Sequence, residues 1–335
     1  MSDNPIVVEI TRGGRVECAH RGAGAVIDAD GRLLFGFGDI EQPVFARSAV
    51  KPIQALPLIE SGAADRYALT SQELALACAS HSGELSHVAT ASGMLAKTGL
   101  SEDALACGAH WPLNADAARA LAREGRPSAL HNNCSGKHAG FLCLACDQSW
   151  PTQGYERAEH QVQREVRAAL ETVCGEPLGE DRRGLDGCSI PTWAIPLKNL
   201  ALGFARMATG RGFTPARTVA AQRLFAAIAA HPFQVAGTGR FDTEVMSLLG
   251  SRAIVKTGAE GVFCAALPEL GLGLAVKMDD GGARAAEVTI ATLIARVLPI
   301  DAATRERFAR FARPRLTNWC GAEVGEIRAA GALAM

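Results

Sequence analysis

A serine and a lysine stand three residues apart near the N-terminus, at Ser48 and Lys51 in the stretch RSAVKP. On one helical turn, side chains at positions i and i+3 lie on the same face, so this spacing places a hydroxyl beside an amine. A serine hydroxyl becomes a nucleophile when a base within hydrogen-bond distance takes its proton, and a neutral lysine supplies such a base. Because Ser-x-x-Lys also occurs by chance in many chains, the pattern needs support from elsewhere in the sequence.

Two further segments carry groups that an acyl-transfer site would use. The loop SHSGE offers Ser80 as a hydroxyl that relays a proton. The stretch KTGA offers Lys256 as a cation, with Gly258 and Ala259 as backbone N–H donors to an oxyanion. This order of motifs is the one used by serine enzymes that recognise penicillins. Taken singly, Ser80 is also consistent with an ordinary loop serine and Lys256 with a surface lysine before a turn.

A second group of reactive side chains lies in the stretch HNNCSGKH. Cys134, Lys137 and His138 fall on one face of a predicted helix, and Asp186 and Cys188 follow in the sequence DGC. Two thiolates, one nitrogen ligand and a water would form an open four-coordinate zinc site. Histidine is the more usual nitrogen ligand, since lysine binds a metal only when it is deprotonated. The alternative is that both cysteines are buried as small apolar side chains.

The composition indicates a globular protein that acts on a small molecule. Of the 335 residues, 48% are hydrophobic and 21% charged, and the formal net charge is -1 without a basic run. These values disfavour nucleic acid or an anionic membrane as the main partner. The N-terminal residues do not resemble a secretory signal, and no apolar run is long enough to span a bilayer. We therefore expect the ten cysteines to be reduced thiols in a cytoplasmic protein.

The pattern of apolar residues predicts an α/β (α+β) fold. Strands are expected within residues 5–45 and 253–277, with separate short strands at 15–19 and 25–28, and Asp30-Gly31 is typical of a tight hairpin turn. Thr70 and Glu73 have the spacing of a capping box that opens a helix. We expect one mainly antiparallel sheet, built from both chain ends (residues 1–60 plus 236–335) and flanked by helices, with an inserted helical lobe at 61–235. Helical periodicity is expected to begin near Ser48 and recurs at 86–98, 115–124, 136–147, 154–174, 215–230, 283–298 and 303–311.

The motifs together resemble those of the rhizobial-type (class 3) L-asparaginases, also called the asparaginase II family. RSxxKP, SHSGE, HNNCSGKH, DGCSxP and KxGAEG carry the resemblance, which covers nearly the whole chain. It implies a fold similar to that of serine β-lactamases, penicillin-binding proteins and glutaminases. It also implies a homodimer that hydrolyses L-asparagine to L-aspartate and ammonia.

The resemblance assigns roles to individual residues. It places two Ser–Lys tandems on Ser48/Lys51 and Ser80/Lys256, and a zinc site on Cys134, Lys137 and Cys188, with Asp186 and His138 close by. The chain departs from the β-lactamase pattern at Ser82, which stands in place of an asparagine. No residue matches a glutamate that activates the deacylating water, so the sequence disfavours β-lactam hydrolysis.

These assignments lead to a mechanistic hypothesis. Neutral Lys51 takes the proton of Ser48, which attacks the side-chain amide carbon of asparagine. Arg47, or the pair Asn132 and Asn133, holds the α-carboxylate. Two alternatives remain open: a serine glutaminase or β-lactamase-like hydrolase, and a zinc-stabilised binding protein without catalysis.

Overall fold

The computed structural model describes residues 4–334. The helices are α1 (Lys51–Gln54), α2 (Leu56–Glu60), α3 (Ala63–Arg66), α4 (Ser71–Ala77), α5 (Leu85–Lys97), α6 (Ala115–Glu124), α7 (Ser135–Asp147), α8 (Gln161–Cys174), α9 (Leu197–Thr209), α10 (Pro215–Ala230), α11 (Pro232–Val235), α12 (Phe241–Leu249), α13 (Ala283–Val297), α14 (Ala302–Ala312) and α15 (Gly331–Ala334). The strands are β1 (Ile6–Arg12), β2 (Arg15–Asp28), β3 (Leu33–Phe37), β4 (Pro43–Phe45), β5 (Arg183–Leu185), β6 (Pro191–Pro196), β7 (Ile254–Thr257), β8 (Val262–Leu267), β9 (Leu272–Met278), β10 (Arg315–Thr317) and β11 (Glu323–Ala329). Among these residues, no helix combines the length and the hydropathy needed to cross a bilayer.

The described chain divides into two compact units. The sheet unit comprises residues up to 49, 195–209 and those from 255 onward, and the helical unit comprises 50–194 and 210–254. The expected boundaries at 60 and 236 therefore differ from the observed ones. Residues 50–60 and 236–254 group with the helical unit, whereas α9 groups with the sheet unit.

The sheet unit contains an eight-stranded sheet in the order β10-β11-β1-β2-β9-β8-β7, with β3 paired to β2. The pairs β1/β2, β1/β11, β2/β9 and β8/β9 are all antiparallel. Strands from both chain ends thus form one antiparallel sheet, and α9 and α13 pack against β9. This confirms the expected fold class.

One long strand replaces two short ones at the start of the chain. The sequence suggested breaks at the glycines between residues 19 and 25, but β2 runs without interruption over 14 residues. A Cβ on Gly22 would lie 2.5 Å from the carbonyl oxygen of Lys277, and one on Gly24 would lie 2.6 Å from the Phe37 ring. These glycines therefore permit close approach inside a strand.

Helix α9 was not predicted from the sequence, although it packs against the centre of the sheet. A Cβ on Gly273 of β9 would lie 1.9 Å from the carbonyl oxygen of Ala201, so only glycine allows this contact. The helix is buried along most of its length. The segment does carry apolar residues at helical spacing, so the sequence contained a signal for α9 that was missed.

In the helical unit, α4 and α7 cross closely enough to bring their ends together. Thr70 and Glu73 form the predicted capping box at the start of α4. A Cβ on Gly136 would lie 2.4 Å from the carbonyl oxygen of Leu76, so this glycine lets the first turn of α7 touch the last turn of α4. The contact places Cys134 and Lys137 near the loop that follows α4.

Helix α8 begins later than the sequence indicated. The apolar pattern predicted helix from residue 154, but the first helical residue is Gln161. The His160 ring accepts a hydrogen bond from the Val162 N–H at 3.1 Å and caps the helix there.

Candidate active site

Lys51 is the first residue of α1 and is buried, with 1% of its surface exposed. Its Nζ atom donates to the carbonyl oxygen of Ala79 at 2.6 Å, to Ser80 Oγ at 3.0 Å and to Cys134 Sγ at 3.1 Å. A buried amine surrounded by three acceptors is fixed in position, since each contact restricts a different direction. The helical unit thus brings together an amine, a hydroxyl and a thiol from three separate parts of the chain.

The loop after α4 is fixed by hydrogen bonds of its backbone. The Ser80 N–H donates to the carbonyl oxygen of Val235 at 2.9 Å, and the His81 N–H donates to that of Asn133 at 3.2 Å. The Ser80 side chain contacts Lys51, while the His81 ring contacts Ser135 at the start of α7.

His81 is a structural histidine that the sequence did not identify. Its Nδ1 accepts from the Gly83 N–H at 3.1 Å, so Nε2 carries the proton and donates to Ser135 Oγ at 2.8 Å. Complete burial holds the pKa of His81 well below its usual 6.5, with the neighbouring His87 as a smaller cause. A neutral His81 thus ties the Ser80 loop to the start of α7.

Cys134 sits in a turn that Asn132 organises. The Asn132 side-chain oxygen accepts from the Cys134 N–H at 2.9 Å, and its amide nitrogen donates to the carbonyl oxygens of Cys107 and Gly108 at 2.8 and 3.0 Å. These bonds use both ends of the side chain. Asn132 therefore shapes the turn that presents the Cys134 thiol, and its predicted role in substrate binding stays a proposal. The Asn133 side chain has no hydrogen-bond partner among the described residues and keeps its predicted role as a proposal.

Cys188 is presented by a second tight turn. The Asp186 N–H donates to the carbonyl oxygen of Ile190 and the Ser189 N–H to that of Asp186, both at 2.9 Å. Ser189 adopts φ 73°, a conformation that costs a non-glycine residue free energy. The turn directs the Cys188 thiol inward, and 3% of the residue is exposed.

The two thiols and Lys137 form one buried cluster. Lys137 Nζ donates to Cys188 Sγ at 2.9 Å. A hydrogen bond from the Cys188 thiol lowers the pKa of Cys134, and the positive charges of Lys137 and Lys51 lower it further. The same bond, together with burial, raises the pKa of Cys188. Burial alone would lower the pKa of Lys137, but the sulfur atoms of Cys134 and Cys188 raise it overall.

This cluster fits a zinc ion by the chemistry of its donors. Two sulfur atoms and one amine converge, and a water would complete four ligands once metal binding has displaced the proton of the Lys137 amine. The alternative ligand set of Cys134, His138 and Cys188 is not assembled, because no three His, Cys, Asp or Glu side chains of the described chain come together as a metal site. His138 Nδ1 is instead hydrogen-bonded to the Tyr155 hydroxyl at 2.7 Å, and the same oxygen accepts from the Ala106 N–H at 2.9 Å. Asp186 is close enough to Lys137 to raise its pKa.

The sheet unit carries the other predicted site residues. Arg47 and Ser48 form a single 3-10 turn that leads into α1, so the stretch is helical as predicted. Arg47 adopts φ 50°, a left-handed conformation directly before Ser48. Lys256 lies in β7 with 1% of its surface exposed, so it is not the surface lysine of the alternative interpretation.

The turn after β7 contains Gly258 and Ala259, the two residues predicted to donate backbone N–H groups to an oxyanion. The Gly258 N–H donates to the carbonyl oxygen of Val262 at 2.8 Å, which closes the hairpin and occupies this donor. The Gly258 N–H is thus engaged within the hairpin in this structure, and the oxyanion role predicted for Gly258 and Ala259 stays a proposal. A Cβ on Gly258 would lie 3.0 Å from the carbonyl oxygen of Ala46, so glycine here allows the turn to approach the segment before Ser48.

Comparisons with solved structures give low similarity. The chain aligns with the crystal structure of Mglu in its native form at 16% identity and a TM-score of 0.45, covering 87% of this chain and 64% of that one. It aligns with the crystal structure of a β-lactamase from Mycobacterium bovis at 16% identity and a TM-score of 0.38, covering 80% and 90% of the two chains. The chain thus spans less than two thirds of the length of Mglu. No curated protein matches the sequence.

The comparison with family models is more decisive. The model described as L-asparaginase II matches residues 8–329, which is nearly the whole chain and includes both Ser–Lys stretches and the thiol cluster. The chain belongs to the L-asparaginase II family.

Proposed function

We propose that this protein is an L-asparaginase that hydrolyses L-asparagine to L-aspartate and ammonia through a serine nucleophile activated by lysine. Membership of the L-asparaginase II family supports an amidohydrolase activity. The observation that carries the proposal is the buried amine of Lys51, 3.0 Å from the hydroxyl of Ser80 and 3.1 Å from the thiol of Cys134. A buried amine hydrogen-bonded to a serine hydroxyl is the arrangement that serine–lysine catalysis uses.

In the proposed mechanism, Lys51 in its neutral form takes the proton of Ser48. Ser48 Oγ then bonds to the side-chain amide carbon, and backbone N–H groups at Ser48 and Ala259 stabilise the oxyanion. Ser80, paired with Lys256, delivers a proton to the leaving nitrogen, so the C–N bond breaks and ammonia departs. Water cleaves the resulting β-aspartyl ester and restores the Ser48 hydroxyl.

Zinc is part of the proposal, bound by Cys134, Lys137 and Cys188. When bound, the metal would polarise nearby groups as a Lewis acid and help to orient the substrate. The protein's own residues would hold this arrangement through the two turns described above, each of which presents one thiol. We further propose a homodimer located in the cytoplasm, whose subunit number light scattering can measure.

The function is tested by measuring ammonia release from L-asparagine and L-glutamine, with hydrolysis of a chromogenic β-lactam in parallel. The proposal predicts the highest kcat/KM with asparagine, and loss of that activity in Ser48→Ala. Ser101→Ala, which changes an exposed serine of the helical unit, serves as the control and should keep full activity.

Each alternative predicts a different result. Preference for glutamine or for the β-lactam would favour the glutaminase or β-lactamase-like hydrolase. Bound zinc with thermal stabilisation, but without ammonia release from either amide, would favour the non-catalytic binding protein. Full activity of Ser48→Ala would contradict the assignment of Ser48 as the nucleophile.

A further inference from the structure

We propose that Arg240 binds the α-carboxylate of the amide substrate, and that it does so from the loop facing the Ser80–Ser82 segment. The inference rests on the proposed function and extends it to a residue that the motifs did not indicate. Arg240 Nη1 lies 3.5 Å from Ser82 Oγ, while the Ser82 hydroxyl donates to the carbonyl oxygen of Ala236 at 2.7 Å. The guanidinium is therefore held beside the loop that carries Ser80.

The loop before Arg240 is built to be rigid. Gly237 adopts φ 115°, and a Cβ there would lie 2.6 Å from the Glu84 carboxylate and 2.8 Å from the Ser82 side chain. Thr238 donates twice to Glu84, from its N–H at 2.8 Å and from its hydroxyl at 2.7 Å. These contacts join the loop to the SHSGE segment, so Arg240 moves with Ser80 and Ser82 rather than independently of them.

The Arg240 guanidinium lacks a carboxylate partner in the described part of the chain. It is half-buried, and it forms no ion pair with any carboxylate in the described part of the chain. Among the residues that the structure describes, its side chain forms one hydrogen bond, to Ser82, which is at the long limit for such a contact. By contrast, Arg217 and Arg223 of the same unit pair with Glu60 and Asp65 at 2.7 and 2.6 Å. Most of the five N–H donors of Arg240 remain available, in a planar arrangement that matches a carboxylate.

The Arg240 guanidinium and the Lys51 amine both contact the Ser80–Ser82 segment. Ser80 and Ser82 are two residues apart, so their Cα atoms lie at most about 7 Å from each other. Ser80 Oγ contacts Lys51, and Ser82 Oγ contacts Arg240. One end of the segment therefore faces the reactive amine and the other end faces the free cation. A small amino acid with an amide at one end and a carboxylate at the other matches these two groups.

The test compares two substrates that differ only in the carboxylate. L-asparagine and 3-aminopropanamide, which is asparagine without its α-carboxylate, are assayed for ammonia release with the wild type, Arg240→Met, Arg240→Lys and the control Arg223→Met. We expect Arg240→Met to lower kcat/KM for asparagine by about 10- to 100-fold, mainly through KM, because a hydrogen bond to a charged group is lost. The rate with 3-aminopropanamide should stay within about twofold, Arg240→Lys should recover part of the loss, and Arg223→Met should change neither substrate.

Inhibition by the product L-aspartate provides a second measurement that does not require turnover of the shorter amide. Arg240→Met should raise the inhibition constant of L-aspartate by the same factor by which it lowers kcat/KM for asparagine. If Arg240→Met lowers the rates for both amides equally, or leaves inhibition by aspartate unchanged, Arg240 does not bind the carboxylate, while the asparaginase proposal stands. If the wild type releases no ammonia from asparagine, the proposed function fails and the inference about Arg240 fails with it.

Discussion

Replacing Lys51 with methionine separates a catalytic role from a structural one. Methionine keeps the length and most of the volume of the buried side chain but removes the amine that contacts Ala79, Ser80 and Cys134. A general base contributes about 10²- to 10⁴-fold to the rate, which corresponds to about 3–5 kcal/mol of transition-state free energy at 1.36 kcal/mol per decade. We therefore expect kcat for asparagine to fall by at least about 10²-fold.

The free energy of unfolding should change much less than the activation free energy. The substitution removes the three hydrogen bonds of the Lys51 amine, which destabilises the folded state, but it also removes the cost of burying a polar group. These terms oppose each other, so we expect a net change within about 2 kcal/mol, measured by urea unfolding. Steady-state ammonia release at saturating asparagine gives kcat for the same preparation.

Lys97→Met is the matched control for Lys51→Met. Lys97 belongs to the same unit and donates to the Glu73 carboxylate at 2.6 Å and to the carbonyl oxygen of Ala68 at 2.9 Å. Its loss should destabilise the fold by about 1–3 kcal/mol, because Glu73 is left buried without its cation, yet kcat should remain within about twofold. If Lys51→Met retains more than about a tenth of the wild-type kcat, the amine is not the base and the reasoning is refuted.

Three further predictions concern the metal, the Cys134 turn and pH. Cys188→Ser should reduce bound zinc by about 10-fold or more in elemental analysis, because one of two thiolates is lost, and equal zinc in both proteins would contradict the site. Asn132→Ala should lower the free energy of unfolding, measured in urea, by about 2–4 kcal/mol, because the carbonyl oxygens of Cys107 and Gly108 and the Cys134 N–H lose their hydrogen-bond partner. A change below about 0.5 kcal/mol would contradict this role of Asn132. Burial lowers the pKa values of His81 and His87. Below about pH 6.5 these histidines therefore bind protons in the unfolded chain but not in the folded chain. The free energy of unfolding should fall toward pH 5 by up to about 1.4 kcal/mol per pH unit for each histidine. His81→Gln should make this slope shallower, and an unchanged slope would show that His81 does not cause it.

Much of the fold follows from local patterns in the sequence, because those patterns report burial on one face. The capping box at Thr70, the proline at the start of α10 and the continuous apolar runs of β8 and β9 each indicate an element without help from the rest of the chain. Gly22 and Gly24 misled the interpretation, since a glycine that breaks a strand and a glycine that admits a neighbour look the same in sequence. Only the partner strand decides between them.

The site was predictable by residue type but not by role. Asn132 lies beside Cys134 in the sequence and was expected to bind substrate, yet its side chain reaches back to residues near 107. Arg240 is part of no recognised motif, and its significance depends on what surrounds it: a rigid loop, a serine and the lack of a carboxylate in the described chain. A signal was present in the sequence GTGR, where two glycines precede an arginine, but such a pattern indicates a turn without indicating what the turn faces.

The most direct measurement is acid quenching of the enzyme during turnover of asparagine, followed by mass spectrometry of its peptides. A covalent serine mechanism predicts a β-aspartyl adduct of about 115 Da on the peptide that contains Ser48, and its absence from Ser48→Ala. An adduct on Ser80 instead, or continued ammonia release by Ser48→Ala, would contradict the assignment of nucleophile and base on which the account depends.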